Sequence, residues 1–316
     1  MRILQFILAS LGFGAIAVWG SEFLFWSAPP TPVAALDLGL IWLAYSCTAG
    51  LALGTLLRFG LGGWRGAFLG GALLGFVAEG IIVGTMYDAF PYQLVWTPLA
   101  WHALITGGAL VWLARSGAVL GPLRQGLGWL LLGLFGGIWA QYWPAERPMP
   151  GSGAIALYLA GTGLAVPLAN ILLDRLTPLQ RPPRWALRVL PILALALWLL
   201  DAMAAPSPIR LSCPALILMT GWMIWRLGDA GPLDLGRPVP AWRHLLFLIA
   251  PLTTALLAGQ AQRIGGLPVN IPIALITGSL GLGCWLWLLW RAVRRRRDGG
   301  QPPVTASASA RSIAPS

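Results

Sequence analysis

The chain has no lysine, two histidines, three cysteines and only ten acidic residues among its 316 positions. Familiar signatures are missing as well: no G-x-x-x-x-G-K-[ST] phosphate loop, no H-E-x-x-H zinc pair and no G-x-S-x-G nucleophile elbow, so ATP-driven, zinc-protease and serine-hydrolase chemistry have no support. His102 and His244 fall at different depths, which argues against a bis-histidine haem. Cys47, Cys213 and Cys284 are odd in number, lie inside apolar runs and show no C-x-x-C spacing, so they read as small core residues and not as disulfide or metal partners. No metal and no cofactor is expected. Also lacking is any polar stretch long enough for an extramembrane enzyme module.

What fills the chain is apolar sequence. Ten runs, 3–26, 37–58, 65–87, 93–114, 125–143, 153–173, 184–205, 208–227, 242–262 and 268–291, approach the roughly 20 residues that a helix needs to cross hydrocarbon. They are too long and unbroken for barrel strands, and only helices or closed barrels satisfy every backbone group there. The expectation is an all-α polytopic membrane helix bundle of about ten transmembrane helices, one domain over 1–297, followed by a Pro/Ser/Ala-rich disordered cytoplasmic tail over 298–316. The seventh and eighth runs are the least regular, since Arg188 and Asp201 bracket a short apolar core and Pro191 and Pro214 lie inside the pair.

Arginine divides the loops. Of 21 arginines, all but Arg147, Arg210 and Arg263 fall on the side that carries both termini. By the positive-inside rule that side is cytoplasmic, and a multi-pass protein of a bacterial inner membrane is expected. The same asymmetry accounts for the net charge of +11 without nucleic acid. The run Arg294–Arg297 reads as a topogenic stop that also meets anionic lipid, so membrane lipids are the expected partners. The first run, with one n-region charge and a long apolar body, reads as a retained helix and not a cleaved signal.

A weak internal recurrence links the two ends of the chain. Cys47, Arg58-Phe-Gly, Trp64-Arg65 and Ala103-Leu-Ile-Thr-Gly107 return in order as Cys213, Arg226-Leu-Gly, Trp242-Arg243 and Ala274-Leu-Ile-Thr-Gly278. Helices 1–4 and 7–10 would then form a parallel four-helix repeat.

Ionisable groups inside the runs carry the functional signal. An ionised group at mid-helix costs about 2.5–3.5 kcal/mol on insertion scales and is retained where it faces protein or water. Counting at about 1.5 Å per residue sets Glu79, rising on helix 3, and His102, descending on helix 4, at one depth, roughly 12 Å below the boundary away from the termini. Tyr45 on helix 2 comes to the same level. These three are the candidate proton-transfer or gating groups of a pocket open to the outer face, with Glu22 and Asp37 nearer its mouth. The loop Tyr87-Asp88-Ala-Phe-Pro91 and the helix start Trp96-Thr97-Pro98 cap it, so Tyr87, Asp88, Trp96 and Trp101 are candidate substrate contacts. Gly71-x-x-x-Gly75 and Gly80-x-x-x-Gly84 flank Glu79 and read as close helix packing. A structural hydrogen bond locking helices 3 and 4 is the plain alternative for Glu79 and His102. His244, next to Arg243, reads as an interfacial residue.

Three functions fit such a pocket. A proton-linked secondary transporter of a small or amphipathic solute uses Glu79 and His102 as a coupled gate. An intramembrane enzyme uses them as acid and base on a lipid or isoprenoid. An assembly or scaffolding subunit of a membrane complex needs no chemistry. The stretch Glu79-x4-Gly84-x2-Tyr87 with Pro91 resembles polytopic carotenoid-modifying hydratases over less than a tenth of the chain, and that resemblance implies a carotenoid-type substrate for the enzymatic reading. Substrate and oligomeric state are open. Reporter fusions after Leu61, Leu120, Gln180 and Gly236 are expected to read cytoplasmic, and those after Pro30, Ala89, Gly151 and Gly265 external; two adjacent contrary readings would remove a helix pair.

Overall fold

The computed structural model describes residues 1–29, 34–229, 231–233 and 235–295, the side chain of Ala118 excepted; the expected tail at 298–316 and Arg296 and Arg297 lie outside them. The described residues form an all-α polytopic bundle without a strand. Its helices are α1 (Arg2–Trp26), α2 (Ala35–Phe59), α3 (Gly63–Ile82), α4 (Tyr92–Arg115), α5 (Gly117–Trp139), α6 (Ser152–Leu176), α7 (Ala186–Ala204), α8 (Pro208–Leu227), α9 (Ala241–Ile264) and α10 (Asn270–Arg294). All but α5 are at once long and apolar enough to span a bilayer by themselves. Near its start α5 turns at Gly121, whose φ of 70° breaks the helical ladder just before Pro122, and it runs on beyond Trp139 as a tighter 3₁₀ segment, Ala140–Ala145.

Successive helices run in opposite directions, so the loops gather at two ends. One end holds Met1, the 60–62 and 228–240 loops and Arg295; there Arg2 Nε donates to Gln180 Oε1 (2.9 Å) and Arg295 pairs with Asp229 (2.5 Å). This is the arginine-rich end. At the other, Arg147 donates to the carbonyls of Trp26, Ala28 and Pro29, each at 2.9 Å, and so closes the C-terminus of α1, where free carbonyls attract a cation. Arg210 there pairs with Asp201 and lies 5.0 Å from the Tyr87 ring centroid.

Packing follows small residues. A Cβ on Gly14 would fall 2.6 Å from Ser46 Cα, and one on Gly50 2.9 Å from Ser10 Oγ, so α1 and α2 meet along a line that only glycine allows. At Gly71 and Gly75 an added Cβ would meet His102 O at 2.5 Å and Pro98 Cα at 2.8 Å, which seats α3 directly on α4. Gly80 and Gly84 divide: Gly80 faces Cys213 Sγ of α8 at 2.6 Å from such a Cβ, whereas Gly84, with φ 86° and no atom near, ends the helix. That reversal stops α3 at Ile82, short of the 87 expected from hydropathy; Thr85–Tyr87 form a 3₁₀ turn instead.

The recurrence between the first and last four helices is not carried into the packing. The first four pack in sequence, α1 on α2, α2 on α3 and α3 on α4, while α9 packs against α5 and α6, and α10 against α4 and α8. The irregular seventh and eighth runs are continuous helices, and α7 has only Ala186 buried.

Replacing Gly71 by Val is expected to lower the unfolding midpoint of the detergent-solubilised protein, at a cost of about 1–3 kcal/mol for forced overpacking. Gly221→Ala, where nothing lies within 4 Å of the added atom, should leave it unchanged.

Candidate functional site

Two wide, π-type turns and one longer wide stretch of 16 residues meet inside the bundle, and each carries polar side chains. They are Trp19–Phe23 in α1, Ala78–Ile82 in α3 and Trp96–Val111 in α4. Each contains a glycine or proline, Gly20, Gly80 or Pro98, where the ordinary i→i−4 ladder is weakest. Such widening is uncommon and concentrates at functional sites. Ser21 and Glu22 stand on the first turn, Glu79 on the second, His102 and Thr106 on the third.

His102 joins them. Its Nε2 lies 2.8 Å from Glu79 Oε1 and its Nδ1 2.9 Å from Ser21 Oγ. Ser21 Oγ lies 3.0 Å from Thr106 Oγ1, and Thr85 donates its hydroxyl proton to Glu79 Oε2. The His102 and Glu79 side chains are 2% and 11% exposed, so the pair is shielded from solvent. Thr106, Ser21, His102, Glu79 and Thr85 thus form one hydrogen-bonded series across α4, α1, α3 and the turn after α3.

Both polarities of the series are complete. With a proton on Nε2, His102 donates to a Glu79 carboxylate and accepts from Ser21, which accepts from Thr106. With a proton on Nδ1, it donates to Ser21, which donates to Thr106, while a protonated Glu79 donates to Nε2. Passing from one to the other moves a proton along the whole line.

Tyr45 stands beside this line and bonds Glu22. Its hydroxyl donates to Glu22 Oε1 at 2.6 Å, Trp26 Nε1 donates to Glu22 Oε2 at 3.1 Å, and the Tyr45 ring sits 6.2 Å from that of His102. Glu22 therefore forms a second acid pair beside the first. The other candidates lie apart. Asp37 is exposed at the start of α2, where it accepts from Ala34 N at 3.3 Å. Asp88 is exposed in the turn. Tyr87 is turned toward α8, donating to Gly80 O at 2.7 Å; burial raises its phenol pKa. Trp96 and Trp101 are buried in an aromatic box with Phe25 and Trp139, and Trp101 Nε1 donates to Gly20 O at 2.9 Å, tying the box to the α1 wide turn.

A cavity of about 280 Å³ lies among α1, α2, α3 and α4. The sequence suggested a pocket open to the outer face; this one opens at the arginine-rich end, beside Gly62, Ser116 and Gly236. Its wall is largely apolar, from Phe13, Leu53, Leu56, Leu74 and Trp112, with Gly66, Gly70 and Gly107 among the lining residues. Thr106 lines its deep part, so the hydrogen-bonded series ends on the cavity wall.

At the rim stands a cluster that sequence reasoning missed. Arg115 Nη2 lies 2.8 Å from Asp174 Oδ1, His244 Nε2 lies 2.8 Å from Asp174 Oδ2, and Val239 N donates to Asp174 Oδ2 at 3.0 Å. Arg115 donates further to Leu235 O and Asn170 Oδ1. His244, read from sequence as an interfacial residue, is 5% exposed and belongs to this buried triad. The available signal was Asp174 itself, an acid at the arginine-rich end of α6.

Comparison with protein-family models, with curated proteins and with solved structures gives no match for this chain. Fold and site define the class: a polytopic, all-α membrane protein with ionisable groups held inside its bundle.

Asp174→Asn strips Arg115 of its countercharge in a buried setting. A loss of about 3 kcal/mol is expected, read as a lower unfolding midpoint in detergent, whereas Arg124→Gln, on an exposed position, leaves the midpoint in place.

Proposed function

We propose that this protein is a proton-linked secondary carrier of a small amphipathic solute in a bacterial inner membrane, with its arginine-rich end in the cytoplasm. In this reading the cavity takes the solute and the Glu79–His102 pair takes and hands on the proton. The observation that carries it is the series Thr106–Ser21–His102–Glu79–Thr85, which starts on the cavity wall and ends in the turn at the opposite end. A purely structural pin between α3 and α4 needs one hydrogen bond. Here five groups are in register, and every one of them can both give and receive a proton in one of its states.

The apolar wall suits the hydrocarbon part of an amphipathic solute. It equally favours the second reading, an intramembrane enzyme acting on a lipid or isoprenoid, in which Glu79 and His102 serve as acid and base. Occupancy of the cavity at the arginine-rich end brings either kind of molecule to Thr106 first and not to the pair itself. A carrier needs only a proton to arrive there; an enzyme needs its substrate to reach the pair. The indirect connection favours the carrier.

In proteoliposomes with an internal pH dye, a transported solute should change the internal pH. Glu79→Gln and His102→Ala should each reduce that coupled flux by about 100-fold or more, the usual range for a positioned proton-transfer group, with the double variant no worse than either alone. Ser21→Ala should reduce it by about tenfold. Near-normal flux in both single variants removes the carrier reading, and a changed lipid profile in a deletion strain without any flux selects the enzyme.

A further inference from the structure

Most buried or half-buried arginines at the arginine-rich end are answered by protein. Arg115 has Asp174, Arg243 has Gln125 Oε1 at 2.9 Å, Arg226 has the Ala292 carbonyl at 3.1 Å and Arg295 has Asp229. Arg58, Arg184 and Arg188 stand at exposed positions instead. All three line one crevice of about 190 Å³ between α2 and α7, no acidic residue lines it with them, and none has a hydrogen-bond or ion-pair partner among the described residues.

The chain brings these charges together deliberately close. Gly54 lets α7 approach α2, since a Cβ there would stand 3.1 Å from Leu187 Cδ2, and Arg58 follows one turn later on the same face of α2. Arg184, in the turn just before α7, and Arg188, in its first turn, both line the crevice. Like charges in such an arrangement repel unless an anion sits between them. Arginine forks bind phosphate oxygens bidentately, and three around one cavity suit a single phosphate with its ester oxygens.

The position says which phosphate. Arg58 is in the last turn of α2 and Arg184 just precedes α7, which places the crevice at the level where hydrocarbon gives way to headgroups. Apart from Ala186, α7 has no buried residue, so the crevice lies beside a helix that faces lipid. We infer that it is a binding site for the phosphate of an anionic phospholipid in the leaflet at the arginine-rich end. Lipid bound there bridges α7, which has few other attachments, to the α2 wall of the bundle. The inference does not depend on the carrier reading.

The test uses the full-length protein in detergent, followed by thermal unfolding during titration with phosphatidylglycerol, phosphatidylcholine or inorganic phosphate. Phosphatidylglycerol should raise the midpoint saturably by several degrees, and Arg58→Gln/Arg184→Gln/Arg188→Gln should lose at least half of the rise. Arg124→Gln/Arg175→Gln/Arg237→Gln, which removes the same charge from the same end, should keep it. An equal rise with phosphatidylcholine, an undiminished rise in the first triple variant, or an equal loss in the control overturns the site. A rise with inorganic phosphate equal to that with the lipid overturns the lipid assignment in favour of a free anion. Should the triple variant fail to fold, native mass spectrometry of Arg188→Gln reads the same point: fewer phosphatidylglycerol adducts than wild type supports the site, and equal adducts overturn it.

Discussion

Both ring nitrogens of His102 are held by protein, one by Glu79 and the other by Ser21, and the arrangement of α1, α3 and α4 depends on that double contact. Inside a bilayer no water is at hand to satisfy a polar group left over by folding. An imidazole with one free nitrogen would be a cost to the fold, so α1 must present Ser21 and α3 must present Glu79 at one height on either side of the imidazole. The wide turns make this possible, because a π-type turn shifts a side chain around the helix without interrupting the backbone ladder. Gly71 and Gly75 then bring α3 near enough for a glutamate to reach.

The two buried ionisable clusters divide the bundle by depth. Glu79, His102, Glu22 and Tyr45 lie toward the end with few arginines, and Arg115, Asp174 and His244 lie at the arginine-rich end. Between them is a cavity walled by apolar side chains. A solute in that cavity would meet a hydroxyl at its deep part and a neutralised guanidinium at its rim. Neither is a strong fixed charge, which is consistent with a ligand that is largely apolar.

Much of the fold was legible because a bilayer imposes length. Among the described residues nine helices satisfy length and hydropathy at once, and α5 is bent near its start at Gly121 and Pro122. The contact of Glu79 with His102 follows from simple counting along antiparallel helices. Ser21 and Thr106 were not legible, and the reason is general. Hydroxyls in apolar helices usually bond the carbonyl one turn back, as Ser10, Ser46, Thr55, Thr162 and Thr277 do here. Which hydroxyl instead reaches across to another helix is decided by packing, and nothing in the residue type announces it. The Asp174 triad stayed hidden because charged residues at helix ends are expected to meet water, and only the tertiary fold turns these inward. The side on which the cavity opens was also unreadable, since it depends on how α1, α2, α3 and α4 pack against one another.

The clamp on α1 has a mechanical meaning. At one end Arg147 grips its terminal carbonyls, and at the other Gln5 Nε2 donates to Leu176 O at 2.5 Å and Pro178 O at 3.2 Å. The helix that supplies Ser21 is therefore bolted at both ends to the α5–α6 side of the molecule. Under the carrier reading proposed above, rocking would fall to α7 and α8, which pack on α2 and α3 and come close to the bundle where Gly80 meets Cys213.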